Sequence, residues 1–187
     1  MNHPEPRFTE VGPRDGLQNE AKVIPLDAKV AFIDALSDSG LREIEVGAFV
    51  APQAVPQMAD SGEVFENIRR KERVVYSALV PNEQGLERAL EAEVDKISVF
   101  TAASETFNKR NINATIAESI ERFKPVIVRA RRSKLLVRAY ISTAFHCPFE
   151  GPVRPDSAAA VADRLLALGG DELSIGDTIG RASPSDV

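Results

Sequence analysis

A short segment near the N-terminus, "EVGPRDGLQNE" at residues 10–20, places an arginine and an aspartate side by side. Glycine and proline surround this pair at a density typical of a turn. Asp15 is a carboxylate that could hold a hard cation such as Mg²⁺ or Mn²⁺, or it could be a turn aspartate bonded to nearby backbone N–H groups. Arg14 could stabilise an oxyanion or an enolate. The segment therefore has the composition of a turn and the charges of a candidate site.

Short apolar segments alternate with helical patterns along the chain, which favours parallel βα units. Strands are predicted at residues 7–11, 43–49, 73–80, 95–100, 135–143 and 171–176, and helices at 25–40, 82–93, 113–132 and 154–170. Pro125 lies inside the third helix and should kink or divide it. Eight units at a repeat of about 33 residues would need about 260 residues, close to the ~250 of a (β/α)8 barrel.

The chain has 187 residues, so we expect an incomplete barrel. The prediction is one domain over 1–187, an α/β fold of the TIM (β/α)8 type, truncated to about the first six βα units and containing strands 1–6 of 8. An open doubly wound sheet is the alternative.

The faces of the predicted strands favour the barrel. Glu43 and Glu45 alternate with Ile44 and Val46 in the second strand, and the fourth to sixth strands alternate in the same way. A strand covered by helices cannot cheaply turn charge toward a second apolar layer, so the charged face fits a polar barrel interior. An edge strand or a solvated antiparallel face is the alternative. Glu45 is costly to bury unpaired, and Arg14 is its predicted partner.

In parallel α/β proteins the site forms where the strands end. The polar residues at these positions are Arg14, Asp15, Thr101, Ser104, His146, Cys147, Asp177 and Thr178, with Glu45 inside the second strand. Asp177 could instead be the N-cap of a following helix. The adjacent His146 and Cys147 are more typical of a structural loop than of a catalytic pair. The sequence contains no Cys-x-x-Cys, His-x-His or Gly-x-Gly-x-x-Gly pattern, so a zinc finger or a dinucleotide fingerprint is unsupported.

Charge and composition exclude several classes of protein. The net charge is −5, which argues against non-specific binding to nucleic acid. No apolar run approaches the ~18 residues of a membrane span, and the first ten residues resemble neither a signal nor a transit peptide. A single cysteine cannot form an intramolecular disulfide. We therefore expect a cytoplasmic protein.

The segment at 10–20 resembles the N-terminal signature of the 3-hydroxy-3-methylglutaryl-CoA lyase family. Further resemblances follow in order: "GLREIEVGAFVAPQAVPQMAD" (40–60), "FTAASETFNKRNIN" (100–113), "CPFEG" (147–151) and "SIGDTIG" (174–180). Together they cover essentially the whole chain. The related isopropylmalate and homocitrate synthases share Arg-Asp-Gly after the first strand, but not the flanking Gly-Pro and Leu-Gln-Asn-Glu.

The resemblance implies a (β/α)8 barrel that needs Mg²⁺ or Mn²⁺ and cleaves 3-hydroxy-3-methylglutaryl-CoA to acetyl-CoA and acetoacetate, as in leucine breakdown. Asp15 resembles the metal ligand, and Arg14 and Glu45 resemble the catalytic arginine and glutamate. The substrate-binding positions that it implies are Arg14, Gln18, Ser174 and Asp177. The expected partner is an acyl-CoA, and homodimer formation stays open.

The chain also departs from the family pattern. A His-x-His pair and an asparagine that complete the metal site, and a loop with a catalytic cysteine, are expected beyond Val187, and Cys147 is not that cysteine. Ala48 and Ala51 stand where serines are common. Residues 1–187 alone are therefore predicted to be inactive. The alternatives are a related condensing enzyme acting on a 2-oxo acid, or a non-catalytic CoA-binding remnant.

Overall fold

The computed structural model describes residues 6–187 and contains a five-stranded parallel sheet with helices between its strands. The helices are α1 (Leu26–Asp38), α2 (Ser61–Asn67), α3 (Glu83–Glu91), α4 (Glu105–Ile112), α5 (Ile116–Arg132) and α6 (Pro155–Ala167). The strands are β1 (Glu43–Ala48), β2 (Val75–Leu79), β3 (Lys96–Ala102), β4 (Leu136–Ser142), β5 (His146–Cys147), β6 (Gly151–Pro152) and β7 (Glu172–Ile175). The sheet has the order β1-β2-β3-β4-β7, and β5 pairs with β6 in an antiparallel hairpin.

Two compact units make up the chain. The first comprises the residues up to Val80 together with Gln84–Ile97, and the second comprises Pro81–Glu83 together with Ser98–Val187. The single-domain organisation over 1–187 stays a prediction.

The first unit is built on a parallel pair of strands. β1 and β2 align with Ile44 opposite Tyr76, and both side chains are buried. Ile33 of α1 and Phe65 of α2 are buried with them. Parallel pairing overturns the alternative of a solvated antiparallel face. The charged positions on the strands are instead paired, because Lys96 Nζ lies 2.9 Å from Glu43 Oε2.

Helix α1 departs from the simple amphipathic pattern. The apolar spacing predicts a buried face through residues 30, 33 and 36, but only Ile33 of these is fully buried. Lys29 and Ser37 are buried on the same helix. Ser37 Oγ donates a hydrogen bond of 2.8 Å to the carbonyl of Ile33, so its burial leaves no unsatisfied hydroxyl.

The second unit contains the longest helix. Thr115 caps α5 in a reciprocal capping box with Glu118, a strong signal for a helix start. Pro125 lies within this helix, which continues from Ile116 to Arg132, so the prediction that it divides the helix is wrong. Phe123, Val126 and Ile127 are buried around the proline, and their packing offsets the lost backbone hydrogen bond.

In the same unit, β4 and β7 pair in parallel with Tyr140 opposite Ser174. Arg138 Nη2 lies 2.8 Å from Glu172 Oε2 across these strands. Charged side chains on adjacent strands are therefore paired here too, as the alternating pattern requires.

The predicted first strand at 7–11 is the main error. Within the described residues this segment forms a single parallel bridge, between Glu10 and Ile44. The other five predicted strands correspond to β1, β2, β3, β4 and β7. The sequence patterns do not predict α2, α4 or the hairpin, because these elements are too short or too polar to show a hydrophobic period.

Candidate active site

The Arg14–Asp15 segment folds as a single π-helical turn, Gly12–Gly16, and not as an ordinary β-turn. The carbonyl of Val11 accepts the N–H groups of both Arg14 (3.1 Å) and Asp15 (2.7 Å). Glu10 Oε1 accepts the N–H of Gly12 at 2.6 Å, and a Cβ on Gly12 would lie 2.8 Å from that oxygen. A side chain at position 12 would therefore displace the Glu10 carboxylate from this hydrogen bond. Single π-turns occur frequently at functional sites.

A parallel bridge fixes this turn beside β1. Glu10 N donates to the carbonyl of Glu43 at 3.0 Å, and Glu45 N donates to the carbonyl of Glu10 at 2.8 Å. The register of β1 shifts between Glu45 and Gly47, which marks a bulge. Bulges next to active sites re-aim side chains.

Arg14 and Glu45 meet in a buried ion pair, as the sequence predicts. Arg14 Nε donates to Glu45 Oε1 at 2.5 Å. The Glu45 side chain is 0% exposed and that of Arg14 is 11% exposed. A buried carboxylate needs such a counter-charge, and the pair in turn fixes the orientation of the guanidinium group.

Asp15 lies on the outer side of this pair. Its Oδ1 accepts hydrogen bonds from Arg14 Nη1 at 2.8 Å and from Gln18 Nε2 at 3.0 Å. The Asp15 carboxylate is therefore bonded to two side chains, and not to the backbone N–H groups of the alternative interpretation. The side chain is 53% exposed, so a carboxylate oxygen is accessible. The structure thus brings together Arg14, Asp15, Gln18 and Glu45.

Asp15 offers one oxygen ligand to a hard divalent cation. Within residues 6–187, no group of three or more His, Cys, Asp or Glu side chains is arranged to hold a metal ion. The described residues therefore fit one position of a metal site and do not complete it.

Ser174 and Asp177 belong to the second unit. Ser174 lies half-buried on β7, opposite Tyr140 of β4. The carboxylate of Asp177 accepts the N–H groups of Arg181 (3.0 Å) and Ala182 (2.9 Å), so it closes a turn. The predicted alternative was an N-cap, but the residues that follow Asp177 form turns and not a helix. Substrate binding by Ser174 and Asp177 stays a prediction.

Three of the remaining polar candidates of the second unit, Thr101, Ser104 and Cys147, form structural contacts, whereas His146 Nδ1 is buried with no hydrogen-bond partner among the described residues. Ser104 caps α4 through the N–H of Phe107 and donates to Cys147 Sγ at 3.0 Å. Thr101 Oγ1 lies 2.7 Å from Ser119 Oγ. These buried contacts support the structural interpretation of Cys147.

The sequence patterns do not predict three residues near the site: Glu10, Lys29 and Gln57. Glu10 was placed in a strand, although its carboxylate contacts the turn. Lys29 is buried and bonds to the backbone of Gln57. The only available signal was the "VPQMAD" stretch at 55–60, which the family resemblance had already singled out.

A parallel sheet with helices between its strands and a buried arginine–carboxylate pair beside its first strand define an α/β protein with a polar site. The family described as HMGL-like matches residues 5–187. The chain belongs to the HMGL-like family. Its fold is accordingly that of a partial TIM-type α/β barrel.

Individual relatives agree with this assignment. The chain is 52% identical over 181 residues to a 3-hydroxy-3-isohexenylglutaryl-CoA/hydroxy-methylglutaryl-CoA lyase of Pseudomonas aeruginosa, covering 96% of this chain and 60% of the relative. A crystal structure of the HMG-CoA lyase from Brucella melitensis is 49% identical with a TM-score of 0.92, covering 97% of this chain and 65% of that one. An HMG-CoA lyase from Acinetobacter baumannii, in complex with coenzyme A and 3-methylmalate, is 36% identical with a TM-score of 0.91, covering 95% and 58%. The chain thus spans about three fifths of the length of its curated relative.

Proposed function

We propose that the protein that carries this chain cleaves 3-hydroxy-3-methylglutaryl-CoA to acetyl-CoA and acetoacetate. The observation that carries the proposal is the buried Arg14–Glu45 pair, with Asp15 bonded to the same guanidinium group. Arg14 and Asp15 lie in the segment at 10–20 and Glu45 lies in the segment at 40–60, and both segments resemble the lyase family. The names of the relatives support the same chemistry.

The reaction breaks one carbon–carbon bond. A base removes the proton of the 3-hydroxyl group, and the oxygen's electron pair forms the new carbonyl of acetoacetate. The electrons of the C2–C3 bond move into the thioester and give the enolate of acetyl-CoA. A proton delivered to C2 then completes acetyl-CoA, so atoms and charges balance.

Arg14 is the group that we assign to the enolate oxygen. Its positive charge is permanent, and a donor preorganised toward developing charge typically contributes about 10²–10³ in rate. Glu45 holds the guanidinium group through Nε, and Asp15 holds it through Nη1. The two carboxylates accept hydrogen bonds from different nitrogens of the guanidinium group, which fixes the plane of that group before substrate binds. Glu45 therefore acts through Arg14 as a positioning residue.

A divalent cation, Mg²⁺ or Mn²⁺, is the cofactor that we propose, with Asp15 as one ligand. When bound, such an ion lowers the pKa of a coordinated hydroxyl group and fixes its geometry. Calorimetric titration of Mn²⁺ should show at least about tenfold weaker binding to Asp15→Asn than to the unchanged protein, because one carboxylate ligand is removed. Equal affinity would remove Asp15 from the metal site.

The substrate class that we propose is a small 3-hydroxyacyl thioester of CoA. The Acinetobacter neighbour holds coenzyme A, and the Pseudomonas relative is named for two 3-hydroxyglutaryl-CoA substrates with different 3-substituents. We propose Gln18, Ser174 and Asp177 as substrate contacts. None of the described helices is long and apolar enough to cross a membrane. A cytoplasmic location, a role in leucine breakdown and a homodimer stay predictions.

The test compares two reactions in the presence of Mg²⁺, both with the purified whole protein that carries this chain. Cleavage of 3-hydroxy-3-methylglutaryl-CoA should release acetyl-CoA and acetoacetate in equal amounts, whereas condensation of acetyl-CoA with 2-oxo acids should be absent. Condensation without cleavage would establish the condensing-enzyme alternative. Binding of CoA without either reaction would establish the non-catalytic alternative.

A further inference from the structure

Lys29 is a buried charged residue that the proposed reaction does not use. It lies on α1 with 3% of its surface exposed. Its Nζ donates to the backbone carbonyl of Gln57 at 2.5 Å and to Asp60 Oδ1 at 2.6 Å. Burying an ammonium group is costly unless it is paired and hydrogen-bonded, and these two bonds satisfy it. The side chain therefore fixes the segment from Gln57 to Asp60 against α1.

Gln57 continues this connection toward the candidate active site. Its Nε2 donates to the backbone carbonyl of Glu20 at 2.7 Å. Glu20 follows the helical residues that extend the π-turn, and its own N–H donates to the carbonyl of Leu17 at 3.2 Å. Asn19 Nδ2 donates to the carbonyl of Asp15 at 2.7 Å. Hydrogen bonds thus lead from Lys29 through Gln57 to the segment that carries Arg14.

The loop that contains Gln57 begins directly after β1, and hydrogen bonds hold it at its start as well as at its end. Arg88 Nη2 donates to the carbonyls of Phe49 (2.7 Å) and Val50 (3.0 Å). The N–H of Ala48 donates to Ser61 Oγ at 3.1 Å. Both ends of the loop are therefore fixed, so a bond from Gln57 can transmit a defined position to Glu20.

We propose that Lys29 and Gln57 are positioning residues that hold the Gly12–Glu20 segment, and with it Arg14, in the geometry required for the reaction. The effect expected on kcat rests on the proposed function. A misplacement of about 1 Å in a reacting group can lower a rate by about 10². Supporting residues of this kind keep a site within about 0.5 Å of its productive geometry.

Gln57→Ala tests the hydrogen bond to Glu20 alone, and Gln53→Ala is its matched control. Gln57→Ala removes the bond to Glu20 and leaves the backbone carbonyl that Lys29 binds. Gln53 lies exposed in the same loop, and within the described chain its side chain makes no hydrogen bond. We expect Gln57→Ala to lower kcat about tenfold or more with KM within about twofold, because a displaced Arg14 stabilises the transition state less while substrate binding is largely kept. Gln53→Ala should match the unchanged protein.

Amide hydrogen exchange supplies a readout that needs no activity. The amides of residues 14–20 should exchange faster in Gln57→Ala than in Gln53→Ala, because that segment has lost its support. Equal exchange and equal kcat in the two variants would overturn the positioning role. If the unchanged protein has no lyase activity, the proposed function fails, and the exchange comparison still decides the positioning role.

Lys29 needs a second comparison, because its removal also affects folding. Lys29→Met leaves Asp60 without its partner and should lower the melting temperature. Lys29→Met combined with Asp60→Leu removes both charges and should recover much of that loss. The carbonyl of Gln57 still lacks its donor, so kcat should stay low in the double variant. Recovery of kcat together with melting temperature would show that Lys29 is only structural.

Discussion

Replacement of Arg14 by methionine should destabilise the protein as well as inactivate it. The Glu45 side chain is 0% exposed, and its Oε1 accepts from Arg14 Nε at 2.5 Å. Removing one partner of a buried pair typically costs about 3–5 kcal/mol, because the other charge stays buried. We expect Arg14→Met to lower the free energy of unfolding by about that amount. Glu45→Leu should cost less, since Asp15 still accepts from Arg14 Nη1.

The double variant Arg14→Met/Glu45→Leu separates the pair from its two members. Replacing both charges by apolar groups of similar volume is often nearly neutral. The two single effects should therefore not add, and we expect a coupling free energy of at least about 2 kcal/mol. Urea unfolding at pH 7, followed by circular dichroism, measures all four proteins. Arg73→Met, at an exposed arginine of the same unit, is the control and should stay within about 0.5 kcal/mol.

Additive single effects, to within about 0.5 kcal/mol, would show that Arg14 and Glu45 contribute to stability independently, because the effects of independent sites add and those of coupled sites do not. Activity gives a second check. All three variants of the pair should lose about 10²–10³ in kcat/KM even where stability recovers in the double variant. An active Arg14→Met protein would show that the pair is only structural.

Three further predictions concern other parts of the fold. Gly47→Ala should lower the free energy of unfolding by about 1–3 kcal/mol, because its Cβ would lie 2.5 Å from Ser61 Oγ. Gly62→Ala, with nothing within 4 Å of its Cβ, is the control and should be neutral or stabilising when urea unfolding measures both variants. Thr115→Ala should cost about 1 kcal/mol in the same assay, since it removes the cap of α5, and no loss would mean that the capping box does not support the helix. Hydrogen bonds from Thr115 hold the pKa of Glu118 below its ordinary value of 4.5. The stabilising contribution of this carboxylate is therefore present above pH 4.5 and is lost as the pH falls through the folded-state pKa. The difference in Tm between the unchanged protein and Glu118→Gln should shrink on acidification, and a difference that grows would contradict the assignment.

The sequence predicted the Arg14–Glu45 pair because two separate signals agreed. Alternation along β1 placed Glu45 on a polar face, and burial of that face required a cation. Arg14 was the available cation at the end of the preceding segment. The parallel strands followed from a different pattern, the alternation of strand and helix segments along the chain and the spacing of these units.

Other features depended on tertiary contacts that no local pattern reveals. Lys29 interrupts the apolar spacing of α1, and a lysine on a helix normally indicates a solvated face. Its burial follows from a carbonyl and a carboxylate of a distant loop. The segment at 7–11 has the composition of a strand, but the π-turn begins at Gly12 and only Glu10 pairs with β1. The two-residue strands β5 and β6 are too short to show a period.

Product release from 3-hydroxy-3-methylglutaryl-CoA in the presence of Mg²⁺ measures directly whether Arg14 serves the proposed cleavage. The whole protein that carries this chain is assayed side by side in its unchanged form, as Arg14→Met and as the exposed control Arg73→Met, with acetyl-CoA and acetoacetate quantified separately. We expect equal amounts of both products from the unchanged protein and from Arg73→Met, and a rate lower by about 10² or more for Arg14→Met. Absence of both products from the unchanged protein would rule out the proposed cleavage, and an unaltered rate for Arg14→Met would rule out the role of Arg14 in it.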